Sequence, residues 1–147
     1  MSATGLDVFD KTIHETNAFV KIVMRELETD DRRMALGALR GALHALRDNL
    51  GIAESAHLSA QLPMLLRGLY YEGWRPQTGP ARERHLADFL EHVSLQLPPQ
   101  LQRYPEEVTR AAFAALSERV DAGELAKLKG QMPHELCTLW PDGAGVT

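Results

Sequence analysis

Leu58-Ser59-Ala60-Gln61-Leu62-Pro63-Met64-Leu65-Leu66-Arg67-Gly68-Leu69-Tyr70 is written a second time, seventy residues on, as Leu128-Lys129-Gly130-Gln131-Met132-Pro133-His134-Glu135-Leu136-Cys137-Thr138-Leu139-Trp140. The correspondence extends outward on the amino-terminal side. Residues 19–71 slide onto 89–141 without a gap, and fifteen of the fifty-three pairs are identical. Average residue usage would give only about three or four. An internal repeat of this kind makes each copy one structural unit and sorts residues by purpose. What both copies keep serves the fold, and what only one copy keeps is free to serve something else.

Working outward, each copy reads as four helices. In the first, Ile13, Val20, Met24 and Leu27 fall on one stripe of a helix running from about Val8 to Leu27, with Phe9, Phe19 and Val23 beside it. Its counterpart carries Leu86, Phe89, Leu90, Val93 and Leu97 and is stopped by Pro98-Pro99. The second helix has the strongest periodicity, with Leu36, Leu39, Leu43, Leu46 and Leu50 spaced three and four apart after Asp30 or Asp31 as cap. Its counterpart starts at Pro105, followed by Glu106 and Glu107 where acids favour the helix dipole, and buries Val108, Ala112, Phe113, Leu116 and Val120. The third is short, with Asp121 and Glu124 at capping-box spacing and Gly51 and Glu54 in the same places. The fourth runs from Pro63 to Tyr71 and from Pro133 to Trp140. No strand-like alternation occurs.

The expectation is a single all-α domain over residues 1–147. It has about eight helices, in two four-helix repeats packed on one core about a pseudo-twofold axis. Repeat one spans 7–71 and repeat two 85–141. Residues 72–84, with two prolines and two glycines, form the inter-repeat loop. Residues 142–147 are expected to fray.

Composition narrows the function. The 147 residues are 44% hydrophobic, as in ordinary globular proteins, and the formal charge of −4 disfavours a general affinity for phosphate backbones. One cysteine, Cys137, allows no internal disulfide. No basic-then-apolar leader pattern opens the chain, and no apolar run is long enough to span a bilayer, so a cytoplasmic protein without membrane contact is expected.

The run from Leu43-His44-Ala45-Leu46-Arg47-Asp48 to Gln61-Leu62-Pro63 and Tyr70-Tyr71-Glu72-Gly73-Trp74 resembles the bacterial family known as domain of unknown function 2267. The second copy, with Gln131, Pro133, Leu139 and Trp140, resembles the same domain's repeat. That resemblance implies a helical bacterial protein and transfers no catalytic residue.

The symmetry then serves as a filter. Gln61 and Gln131 recur before a helix-starting proline, and their amides are expected to bond free backbone groups there. Arg40 with Arg110, and Arg33 with Arg103, recur as surface or salt-bridging residues. Gly37 and Gly41, on one side with His44 and Asp48, suit a close helix crossing; Ala111 keeps the second of them small, which favours a crossing inside the fold. The positions that break the symmetry are His44 opposite Ala114, His57 opposite Lys127, Arg67 opposite Cys137, and Tyr71 opposite Pro141. Glu72, Gly73 and Trp74 have no aromatic or acidic counterpart. The face carrying His44, His57, Arg67, Tyr70, Tyr71 and Trp74 is therefore the candidate binding surface, since aromatic rings offer both area and a polar edge.

The leading expectation is a non-catalytic binding or assembly module with no cofactor, forming a homodimer in its assembly form. A histidine-based metal protein or enzyme is the alternative. It rests on His85 and His92, two turns apart with Asp88 between them, or on Cys137 with His134 one turn away. A weak nucleic-acid binder using Arg75, Arg82 and Arg84 is the third, and Glu83 among them speaks against it.

Overall fold

The computed structural model describes residues 2–141, and every regular element in it is helical. The eight α-helices among the described residues are α1 (Asp7–Leu27), α2 (Arg32–Asp48), α3 (Ile52–Ala60), α4 (Met64–Tyr71), α5 (Leu86–Gln96), α6 (Pro105–Arg119), α7 (Ala122–Gln131) and α8 (His134–Cys137). Residues 142–147, expected to fray, lie outside the described residues. No described helix is long and apolar enough to cross a membrane.

The ends of the helices follow from local chemistry. Asp31 accepts a hydrogen bond from the Met34 amide at 3.0 Å and starts α2, and Asp121 does the same for Glu124 at 3.1 Å to start α7. Glu54 reaches back to the Gly51 amide at 3.1 Å, so the carboxylate half of a capping box operates without a hydroxyl partner. Pro98-Pro99 ends α5, and the chain crosses to α6 by a single 3₁₀ turn over Pro99–Leu101. α8 is one turn only, shorter than the span to Trp140 that the repeat suggests.

α2 and α6 form the centre. Leu39, Leu43 and Leu46 of α2 and Val108, Phe113 and Leu116 of α6 are at most 1% exposed, and each such side chain contributes about 1.5–3 kcal/mol by leaving water. The packing partners come in matched sets. α1 lies on α2 and α6, while α5 lies on α6 and α2; α4 touches α1, and α8 touches α5. α2 packs on α6, and α3 on α7. Exchanging the first four helices for the last four maps these contacts onto one another, whereas those of α4 with α2 and α3, and of α7 with α6, are not matched to the same extent.

The crossing of α2 and α5 uses the two glycines. A Cβ at Gly37 would lie 2.9 Å from Pro98 Cγ, and one at Gly41 would lie 2.6 Å from Leu97 Cδ2 and 2.9 Å from the Gln96 carbonyl oxygen. The small-residue face is thus used inside the chain, at the end of the helix that the proline pair terminates.

Two expectations are corrected. The apolar stripe of α1 does not stay buried along its length: Phe9 is 50% and Ile13 42% exposed. α5 begins at Leu86, the counterpart of Thr16, so the second half offers no example of these first two turns, and in the first half they run past the core. The second correction concerns the recurring glutamines. Neither amide makes a hydrogen bond among the described residues. The backbone carbonyls at that junction are met instead by Arg67, whose guanidinium donates to the Ser59 oxygen at 3.0 Å and the Leu62 oxygen at 3.1 Å. In the second half the Cys137 thiol donates to the two equivalent oxygens, those of Lys129 at 3.4 Å and Met132 at 3.8 Å. An arginine is longer than a glutamine and can reach both acceptors from the following helix.

Candidate functional site

Residues 72–81 leave the end of α4, fold through a 3₁₀ turn at Pro76–Thr78 and pass over the α2–α5 crossing. Beneath them is an open cleft of about 750 Å³. Arg40, His44 and Asp48 of α2 and His92 and Gln96 of α5 form its floor, and Trp74 and Arg75 belong to its roof. Ligand sites commonly measure about 300–1,000 Å³ and are mainly apolar; this one has the size, and a floor of charged and polar side chains.

The floor exists because α2 ends in Arg47-Asp48-Asn49, which bond the loop at both of its ends. Arg47 is 3% exposed. Its guanidinium donates to the Tyr70 oxygen at 2.8 Å and the Glu72 oxygen at 2.7 Å, capping the carbonyl end of α4. The same group pairs with the Asp48 carboxylate at 2.9 Å. The Asp48 carbonyl accepts from the Ala81 amide. Asn49 donates to Glu83 at 2.8 Å and accepts from the Glu83 amide at 2.7 Å. Three consecutive residues therefore hold the loop where it departs and where it returns. Their counterparts Ser117, Glu118 and Arg119 do none of this, and the Ser117 hydroxyl is buried without a partner.

His92 closes the network from the other side. Its Nε2 lies 3.0 Å from Asp48, and its Nδ1 lies 2.9 Å from Glu83. Hydrogen bonding to Asp48, opposed by burial and reinforced by Glu83, raises its pKa above the usual histidine value. Burial pushes the Asp48 carboxyl up, and the bonds from His92 and Arg47 outweigh it, leaving its pKa below the ordinary value. An imidazolium between two carboxylates uses both ring protons, so it offers no lone pair to a metal or to a substrate proton. His44 is the opposite case. Burial lowers its pKa, and neutral Nε2–H donates to the Leu69 oxygen at 2.7 Å. Its Nδ1 lone pair is thereby left as an acceptor.

The six residues of the expected surface are dispersed. His44 and Trp74 line the cleft. Tyr70 is fully buried, and its hydroxyl donates to Ser55 at 3.1 Å. Burial drives its pKa well above the usual tyrosine range. Tyr71 stands between Tyr70 and Trp74, with ring centroids 5.1 and 5.2 Å away, and its hydroxyl shares a 2.6 Å bond with Ser59. The aromatic run thus packs the loop onto the core and presents only Trp74 to the cleft. Arg67 is committed to the end of α3. His57 lies exposed beside α7, at a different hollow.

Nor are the histidines of the metal alternative brought together. His85 bonds Glu135 at 3.0 Å on the surface, and the other oxygen of that carboxylate caps the Leu86 amide at the start of α5. His92 turns inward to Asp48 and Glu83. Cys137 donates to carbonyls, and burial raises its thiol pKa, away from the thiolate form. Of the linker arginines, Arg75 borders the cleft, while Arg82 and Arg84 border a smaller hollow on the far side of α2.

Sequence reasoning missed Arg47, Asn49, Glu83 and Gln96. The signal for the first two was available, because Arg47 and Asn49 break the repeat as clearly as His44 does. A family model described as "Uncharacterized conserved protein (DUF2267)" matches residues 16–139, and no curated protein matches the chain.

Proposed function

Because the chain belongs to this uncharacterized conserved family, DUF2267, whose description carries no activity, we propose from the cleft that it is a non-catalytic binding module for a small polar molecule bearing a carboxylate or phosphate. The observation that carries the reading is the way the floor spends its charges. Arg47, Asp48, Glu83 and His92 neutralise one another within the chain, and among the described residues the cleft presents no activated nucleophile. What remains for a ligand is recognition chemistry: the Trp74 ring face, the Arg75 guanidinium on the rim, which has no partner among the described residues, the Gln96 amide and the His44 Nδ1 acceptor. A planar molecule with an anionic group satisfies these together.

Thermal denaturation in the presence of millimolar citrate, inorganic phosphate and adenosine monophosphate tests it. One or more of these probes raises the melting temperature of the wild type. Arg75→Ala leaves the unliganded melting temperature nearly unchanged and abolishes the shift; Trp74→Ala removes a ring contact with Tyr71 as well, so it lowers the unliganded melting temperature and abolishes the shift. A shift that survives both substitutions, or no shift with any probe, overturns the reading.

A specific observation favours assembly as a second activity. Leu6, Val8, Phe9 and Ile13 of the overshooting first turns, with Met64 and Leu65 at the start of α4, are each between 42% and 57% exposed. The Leu65 amide donates to Thr12 at 2.8 Å, which holds the two segments together as one apolar end. A second copy of the chain covers it in this reading. Sedimentation then shows a dimer that Ile13→Glu dissociates without loss of helicity; a wild-type monomer at high concentration refutes it.

A further inference from the structure

The roof of the cleft is fastened by groups of unequal kind. At its departing end the bonds are permanent, because Arg47 stays charged at any pH the protein meets and its acceptors are carbonyls. At its returning end the Ala81 amide donates to the Asp48 carbonyl, and beyond that single backbone bond the fastening runs through a titratable ring. His92 stands on α5 and bonds α2 through Asp48 and the loop through Glu83. The remaining hold on Glu83 is Asn49.

We propose that His92 is a proton-operated latch on the roof of the cleft: with both ring nitrogens protonated it ties α2, α5 and the returning loop together, and loss of one proton loosens the loop and opens the cleft. The use of such opening rests on the reading of the cleft as a ligand site; the latch itself does not.

The geometry forces the asymmetry. Each ring nitrogen faces a carboxylate. The doubly protonated ring donates to both. The neutral ring has one N–H, so its lone pair is set against a carboxylate oxygen about 3 Å away, and Asp48 and Glu83 lose the cation between them. The charged groups facing the ring are Asp48 from α2, with Arg47 behind it, and Glu83 from the loop; Arg40 of α2, on the same floor, pairs with Glu72. Among the described residues, α6 and α8 add none to the network: Arg110 of α6 pairs with Glu106, and Glu135 of α8 pairs with His85. His44, on the same floor, is neutral and bonded to Leu69.

The sign follows. A histidine whose pKa is raised on folding contributes stability that is complete below the unfolded value of about 6.5 and is lost as pH rises through the raised value. The Asp48 side of the latch behaves oppositely. Its depressed pKa contributes above the unfolded carboxylate value and is lost in acid. The roof is therefore fastened in mildly acidic solution and loosens on the alkaline side of pH 6.5 or so.

The two tryptophans make the test direct, since Trp140 is 1% exposed and stacked on Phe113 at 4.1 Å, while Trp74 is half-buried in the roof. Acrylamide quenching is recorded on the wild type between about pH 5.5 and about pH 9. The Stern–Volmer constant is expected to rise roughly two-fold with a midpoint above about pH 6.5, as the roof indole becomes accessible. Trp74→Phe removes the rise. His92→Gln, which cannot titrate, gives a flat profile. Glu83→Gln, by removing one carboxylate, moves the midpoint to lower pH; it decides the matter if His92→Gln fails to fold. A flat wild-type profile, a transition that survives in folded His92→Gln, or a midpoint indifferent to Glu83→Gln overturns the latch. The outcomes separate the two readings. A transition without binding of any probe removes the ligand site and keeps the latch. Probe binding without a transition does the reverse.

Discussion

Arg47 and Ser117 stand at one position of the repeat with opposite chemical histories. Arg47 is a buried cation held by Asp48 and two carbonyls; Ser117 is a buried hydroxyl held by nothing. Removing Arg47 leaves the Tyr70 and Glu72 carbonyls without their donor and Asp48 with His92 alone, and Arg47→Met is expected to cost about 3 kcal/mol in urea unfolding. Ser117→Ala removes an unsatisfied polar atom and is expected to be neutral or stabilising by up to about 1 kcal/mol. The repeat exposed the asymmetry at this position, yet the role of Arg47 stayed hidden, because its acceptors lie on backbone atoms of residues 70 and 72. A carbonyl at a helix end has no sequence signature. The same blindness explains the glutamines. Gln61 and Gln131 recur, but the bonds expected of them are made by Arg67 and Cys137, two residues that look unrelated and serve equivalent oxygens.

Among the helices, features set by sequence neighbours fall where the sequence places them. Helix starts at Asp31 and Asp121, and the stop at Pro98-Pro99, involve neighbours in sequence and are found where composition places them. The glycine pair required a partner for its interpretation, and the partner is the end of α5. Gly41→Ala is expected to destabilise by roughly 1–3 kcal/mol, since its Cβ would meet Leu97 and the Gln96 carbonyl inside contact distance. Gly68→Ala in α4 and Gly130→Ala in α7 meet nothing within 4 Å, and each is expected to stabilise by about 0.5–1 kcal/mol. Thermal melts of the three variants rank them. The first turns of α1 carry an apolar stripe that the core does not reach, because periodicity reports a stripe and not the length of the surface available to cover it. Of the candidate surface, only His44 and Trp74 meet in the cleft: Tyr70 and Tyr71, expected to serve binding, pack the loop instead, and the charged floor depends on an α2–α5 crossing that spacing alone cannot show.

For the molecule as a whole, the two central helices belong to different copies, and α1 and α5 each pack on both. The core is therefore shared. A chain ending at residue 78 would leave the apolar faces of α1 and α2 without α5 and α6, and it is expected to lack a cooperative unfolding transition and near-ultraviolet circular dichroism. The full chain is expected to unfold in one step by both probes.

Shared halves joined by a long loop have a further consequence, in the assembly of chains. Every contact between the first four helices and the last four could be made as well between two molecules, each lending its second half to the other, if residues 72–84 ran straight instead of folding back. Such domain swapping changes no helix contact and is decided at the loop. The three residues at the end of α2, by gripping both ends of that loop, set the preference for the closed single chain. Weakening their grip with an Asn49→Ala, Arg47→Met pair should show itself as slowly interconverting exchanged dimers in concentrated refolding mixtures.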